Sequence, residues 1–180
     1  MARHREFDED KVLDALKEVF WQYGFEGTSY THIMKATGLK KGSLYAAFGD
    51  KRALYQKALH RYDQKDISSA VNMLHRDNLT PAMRIEILMT GPVDASQTDK
   101  GRWGCLLCNA AVDQAPTDKD TEDTVQASIE RFKAAIIHVV GDEEKADHIL
   151  GAYFGARVLV KAGFGKDRMK NIRSAVLKTL

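Results

Sequence analysis

Cysteine is scarce in this sequence. Two in 180 residues cannot build a disulfide scaffold, and the scarcity favours a reducing compartment. Proline is scarcer still relative to its usual share, at three, so helices can run without interruption over most of the chain. No apolar run approaches the ~18 residues needed to span a bilayer. The opening decapeptide MARHREFDED is charged where a secretory signal would be apolar. The expectation is a cytoplasmic protein with no membrane partner. No stretch alternates at period two, which leaves β-strands unsupported. The six histidines (His4, His32, His60, His75, His138 and His148) lack ligand spacing, and there is no P-loop, dinucleotide fingerprint or Gly-x-Ser-x-Gly elbow. No catalytic residue, metal site or cofactor is predicted, and an enzyme is not expected.

What is present is ordinary for a globular chain: 44% apolar, 29% charged and a net charge of +2. Helix formers dominate, so an all-α fold is expected. The sequence is organised around residues 28–48, TSYTHIMKATGLKKGSLYAAF. Thr28 or Ser29 caps a short helix with Ile33, Ala36 and Thr37 inward. Gly38 ends that helix and turns the chain. A second short helix follows, with Leu44 and Phe48 four apart on a buried face. Its outer face is Lys41, Gly42, Ser43, Tyr45 and Ala46, small and basic enough to enter a groove ~12 Å wide. This is a helix–turn–helix. Between Ser29 and Arg61, seven basic residues (Lys35, Lys40, Lys41, Lys51, Arg52, Lys57 and Arg61) face Asp50 alone, a local charge of +6 suited to phosphate.

The long run Gly38-Leu39-Lys40-Lys41-Gly42-Ser43-Leu44-Tyr45 with Phe48 and Lys51, preceded by Tyr23-Gly24-Phe25 and Gly27-Thr28-Ser29, resembles the tetracycline-repressor-type (TetR) transcriptional regulators. The resemblance covers roughly the first third of the chain. Lys40 stands where the family often has a serine, and Ala46 and Ala47 replace frequent histidines. The resemblance implies an N-terminal three-helix helix–turn–helix domain followed by a larger helical ligand-binding and dimerisation domain, about nine helices in all. Residues 1–50 are expected to form the DNA-binding unit, with the motif at 30–49 and a wider domain at 7–67 that includes the start of helix 4. Residues 51–180 would form the effector-binding and dimerisation unit. The expected DNA contacts are Thr28, Ser29, Lys40, Lys41, Gly42, Ser43, Tyr45 and Lys51.

Apolar spacing outlines the remaining helices. The first runs from about Asp8 to a stop at Gly24, and the fourth starts at an Asp50 cap and continues toward Leu74. One starts at Thr80-Pro81 and breaks at Gly91-Pro92; residues 94–102 then read as a loop. Another covers residues 104–112, a longer one is capped by Thr117 and stopped by Gly141, and a C-terminal pair turns at Gly163-Phe164-Gly165. In that pair Gly151, Ala152, Gly155, Ala156 and Leu159, with Ile172 and Val176, predict half of an intermolecular four-helix bundle. The resemblance likewise implies that this pair is the dimer interface. It implies a pocket around Met83, Ile87, Leu88, Trp103, Leu106, Leu107 and Phe132, although each of these residues by itself reads as core.

Cys105-Leu-Leu-Cys108 has redox or zinc half-site spacing, but no second ligand pair follows and no strand precedes it. Both cysteines therefore read as small core residues. In an electrophile-sensing subset of the resembling family the cysteine at this position is reactive, which here would be Cys105. The expected protein is a homodimeric regulator, a repressor by default, that binds a palindromic operator in double-stranded DNA and is released by an unidentified small-molecule effector. The alternatives are a thiol-based electrophile or redox sensor through Cys105 and a CxxC redox enzyme.

Overall fold

A computed structural model describes residues 7–180; His4 and the first six positions of the expected DNA-binding unit lie outside them. Among the described residues the chain forms nine helices and no strands. Helix α1 (Glu9–Gly27) starts where the Asp8 carboxylate accepts from the Lys11 amide. Val12, Leu16, Val19 and Phe20 give it one buried stripe. Gly24, at φ 70° and ψ 178°, breaks the helix as expected, and a short further turn reaches Gly27. Only glycine tolerates that conformation without strain.

Helix α2 (Tyr30–Thr37) carries a capping box: the Ser29 hydroxyl accepts from the His32 amide and the His32 ring accepts from the Ser29 amide. Gly38 then adopts the left-handed conformation (φ 71°) and turns the chain into α3 (Lys41–Phe48). Helix α4 occupies residues 51–74 as one rod: an α-segment Lys51–Tyr62, a π-turn Asp63–Ile67 and a second α-segment Ser68–Leu74. Arg131 braces the π-turn from outside by donating to the Asp63 carboxylate (2.8 Å) and the Ser68 hydroxyl (3.1 Å).

The remaining helices are α5 (Pro81–Ala95), α6 (Leu106–Asp113), α7 (Lys119–Val140), α8 (Glu143–Lys161) and α9 (Lys166–Leu177). Three expected boundaries are corrected. Helix α5 continues through Pro92 to Ala95, because a proline this close to the C-terminus removes one bond while its buried ring packs inward. Gly104, at φ 79°, cannot be helical, so α6 begins after Cys105. Asp118 rather than Thr117 caps α7. One apolar core runs from Leu16, Phe20, Ile33 and Leu44 through Leu54 and Leu59 to Leu106, Phe132 and Ile149. A smaller cluster of Val93, Ala156, Val160 and Met169 ties α5 to α8 and α9.

Asp118 fixes the angle between α4 and α7. Its carboxylate accepts from the Thr121 hydroxyl (2.7 Å), the Gln56 amide (3.2 Å) and the Arg52 guanidinium. Burial works to raise its pKa, but the Thr121 and Arg52 hydrogen bonds outweigh burial and hold the group below the usual carboxylate range. A depressed folded pKa adds stability above the unfolded value of ~3.9, and this is lost as pH falls through the folded value. Asp118→Asn is therefore expected to cost about 1 kcal/mol at pH 7. The two proteins should converge in urea midpoint as pH falls through the folded value, where the Asp118 carboxylate becomes neutral like the amide. An undiminished gap at acid pH would show that charge is not what the site uses.

Candidate nucleic-acid interface and the thiol cluster behind it

Leu44 and Phe48 on the inner side of α3 are buried in the main core. That anchoring leaves Lys41, Gly42, Ser43, Tyr45 and Ala46 exposed, with Tyr45 at 59%. Lys40 is also exposed at the helix start, so its backbone and the first free amides of α3 face outward with its ammonium. The Lys41 ammonium lies 4.5 Å from the Tyr30 ring centre, which holds it beside the α2 surface. Gly42 has open space where a Cβ would stand. The Lys51 ammonium at the start of α4 lies 4.7 Å over the Phe25 ring and donates to the Glu26 carbonyl at 3.5 Å. Ser29 is exposed, its hydroxyl accepting from the His32 amide.

Thr28 departs from expectation. It is 2% exposed, and its hydroxyl donates to the Gly24 carbonyl at 2.6 Å, so it closes the α1 kink rather than facing outward. The local charge of +6 is also reduced by pairing across the fold. Arg61 is buried against Asp14 (2.7 Å) and Asp10 (2.8 Å) of α1, and Arg52 pairs with Asp118. The Arg61 hydrogen bond holds Asp14 below its usual value. The exposed cations around the motif that make no ion pair among the described residues are thus Lys35, Lys40 and Lys41, with Lys51 and Lys57 half-buried beside them.

The pattern for the bacterial regulatory proteins of the tetR family matches residues 12–58, the span from the α1 core stripe through the first half of α4. Over that span the chain is similar to the DNA-binding part of the tetR-family regulators. The HTH-type transcriptional regulator YezE of Bacillus subtilis (strain 168) is 28% identical over 138 residues, covering 77% of this chain and 71% of YezE. The HTH-type transcriptional repressor ComR of Escherichia coli (strain K12) is 26% identical over 126 residues, covering 70% of this chain but only 60% of ComR. Among solved structures, a cysteine-substituted form of the TetR-family regulator CifR, complexed with a 26-base-pair operator, is 27% identical at a TM-score of 0.80. That alignment covers 98% of each chain. In sequence and in fold the chain is thus similar to TetR-family transcriptional regulators.

The residues expected at a TetR-family effector pocket do not share one cavity wall. Leu88, Leu106, Leu107 and Phe132 are buried in the main core. Met83 and Ile87 are 47% and 43% exposed, because the inward face of α5 is Ile85, Leu88, Met89 and Pro92 instead. Trp103 is half-buried, its ring 5.9 Å from that of Trp21. Two surface hollows, of about 230 and 250 Å³, lie elsewhere. The second is bordered by Tyr23–Gly27 of α1 and by Asp113 and Gln114 at the end of α6.

Of the expected interface residues, Gly151 and Gly155 are exposed, with nothing within 4 Å of a Cβ position. Ala152, Leu159 and Ile172 are partly buried. Ala156 and Val176 face inward and pack within the protomer. Spacing alone could not separate the two faces of α8; the structure adds Val158, 52% exposed, to the outer one.

Sequence reasoning missed the surroundings of Cys105. The Tyr62 hydroxyl lies 3.5 Å from its sulfur. Arg157 donates to the Gly104 carbonyl at 2.5 Å, while its buried Nε has no partner among the described residues. The neighbouring Cys108 side chain, with the Tyr62 hydroxyl and the positive Arg157, outweighs burial and lowers the Cys105 pKa below the ordinary thiol value. The Cys105 side chain beside it, and then burial, push the Cys108 thiol up. These contacts join residues 43 or more apart in sequence, which no local spacing reveals.

Proposed function

We propose that this protein is a homodimeric repressor that binds a palindromic operator and is released by a small-molecule effector. Residues 1–50 would form the DNA-reading unit and 51–180 the effector-binding and dimerisation unit. The observation that carries this reading is α3, a short helix anchored by Leu44 and Phe48 whose exposed face is small, polar and basic. Two such helices on a two-fold dimer enter successive major grooves about 34 Å apart. Lys40, Lys41, Gly42 and Ser43 lie nearest the base edges, while Ser29, Tyr45 and Lys51 hold phosphates and fix register. Thr28 leaves this set because its hydroxyl is already engaged.

The outer stripe of Gly151, Gly155 and Val158 supports dimerisation, since its small residues let a second helix pair approach closely. An effector would act through α4, whose N-terminus abuts α3 and whose far end packs on α5 and α7. To shift the equilibrium it must bind one head separation better than the other, typically by ~1–3 kcal/mol.

Selecting bound fragments from genomic DNA tests the whole reading. A recovered two-fold sequence bound by two chains is the expected result, and recovery of no enriched sequence would sink it. Lys51→Ala is expected to weaken binding to all sequences and to reduce the salt slope by about 1. An unchanged slope with altered sequence preference would remove Lys51 from the phosphate contacts.

A second reading has one specific observation in its favour: the Cys105 sulfur lies 3.5 Å from the Tyr62 hydroxyl, and Arg157, whose Nε has no partner among the described residues, works with it to lower the thiol's pKa. A thiolate there would make Cys105 the responsive group, reached by an electrophile or oxidant.

A further inference from the structure

The CxxC occupies the first turn of α6, with Cys105 as the N-cap residue and Cys108 three positions on. An N-cap residue and the residue three positions on stand beside each other at a helix start, so the spacing brings the two thiols to one end of α6. Positions around an N-cap also face the free amides of the helix start, which favour negative charge. Two inert core cysteines would need only apolar neighbours. These have a tyrosine hydroxyl at 3.5 Å and a nearby guanidinium whose Nε has no partner among the described residues. Cys105 is 2% exposed, whereas Cys108 is partly exposed, so the pair meets solvent on the Cys108 side.

We propose that Cys105 and Cys108 form a dithiol that hydrogen peroxide converts to an intramolecular disulfide, and that closing this bond in the first turn of α6 regulates DNA binding. The inference rests on the reading of Cys105 as the responsive thiol and assigns Cys108 as its resolving partner. The Cys105 thiolate attacks one peroxide oxygen: an S–O bond forms, the O–O bond breaks, and the leaving hydroxide takes a proton from the medium to become water. Cys108 then attacks the sulfenic sulfur. The S–S bond forms, the S–O bond breaks, and the departing hydroxide leaves as water with the Cys108 proton. Two thiols are oxidised and one peroxide is reduced to two waters.

Closing the bond has a mechanical consequence. Cys105 is extended (φ −115°, ψ 127°) just ahead of α6 and Cys108 lies in its first turn, so a disulfide, whose Cβ atoms stand ~3.5–4.5 Å apart, ties the incoming segment to the helix start. The other end of α6 borders the α1 kink: Asp113 and Gln114 share a hollow with Tyr23–Gly27, and a Cβ at Gly24 would stand 3.9 Å from the Asp113 carboxylate. Movement of α6 thus reaches α1, the helix against which α2 of the motif is packed.

The test treats the reduced full-length protein with stoichiometric hydrogen peroxide. The expected product has lost two hydrogens, and peptide mapping places the bond between Cys105 and Cys108. Cys108→Ser should give no disulfide and instead a sulfenic acid at Cys105 that dimedone captures. Oxidised wild-type protein should bind the selected operator at least tenfold more weakly, with affinity restored by dithiothreitol. A disulfide that leaves affinity unchanged overturns the regulatory assignment. If peroxide leaves both thiols intact while a Michael acceptor still alkylates Cys105 and releases DNA, the disulfide proposal falls and the responsive-thiol reading stands. If neither reagent modifies Cys105, both fall.

Discussion

Replacing Lys40 and Lys41 together by alanine is expected to weaken binding to the selected operator at least ~30-fold, with little change in folding. A lysine that reaches a base edge contributes about 1–3 kcal/mol of discrimination, and the two act from adjacent positions at the start of α3. Both side chains are exposed, and neither makes an ion pair among the described residues. Among the described residues, the side-chain contact that folding would lose is the stacking of Lys41 on Tyr30, about 0.5–1 kcal/mol. Fluorescence anisotropy at fixed salt, run beside a thermal melt, separates the two effects. The decisive comparison is with a scrambled duplex. If α3 reads sequence, affinity for the operator should fall further than affinity for the scrambled DNA. Equal losses would make these lysines phosphate contacts only, and a loss under threefold would show that another element enters the groove.

The expectation is this strong because the motif is encoded locally. Gly38 ends one helix, Leu44 and Phe48 seat the next, and Ser29 with His32 sets the start of α2, all within twenty residues. Local spacing therefore carries the motif into three dimensions with its exposed face correct. Charge did not transfer in the same way. Arg52 and Arg61 counted toward a basic surface, yet each finds its carboxylate on a helix 47 or more residues away in sequence. Thr28 likewise read as an outward cap because threonine caps helices, whereas its hydroxyl turns back one helical turn to Gly24.

In the C-terminal two-thirds, periodicity located the helices but not the faces they share. Met83 and Leu88 belong to one apolar segment, yet the first is exposed and the second buried. Which side of α5 turns inward depends on α7, α8 and α9, whose positions no window of sequence contains. The same limit hid the thiol cluster. The CxxC spacing was visible, but its chemistry comes from Tyr62 on α4 and Arg157 on α8.

Phe132 decides whether the interior of this chain is packed core or the wall of a ligand site. The side chain is fully buried on α7, with the Tyr153 ring edge-on at 5.3 Å and the Phe154 ring at 6.0 Å. In a closely packed interior, Phe132→Ala removes the transfer free energy of the ring and leaves a void that its neighbours only partly fill. The expected loss is about 3–5 kcal/mol, read as a fall in urea midpoint at unchanged slope. The melting temperature should fall by roughly 6–20 °C for a chain of this size. Phe132→Leu keeps most of the volume and should cost less than half as much. A pre-existing cavity beside the ring would alter this ordering, because a side chain that already borders empty space has fewer contacts to lose. A Phe132→Ala cost below ~1 kcal/mol, with weakened response to a found effector, would put the pocket at Phe132. The full cost would make Phe132 structural, and an effector would then have to open its own space by moving α7 against α4, at the joint where Asp118 holds Arg52 and Gln56.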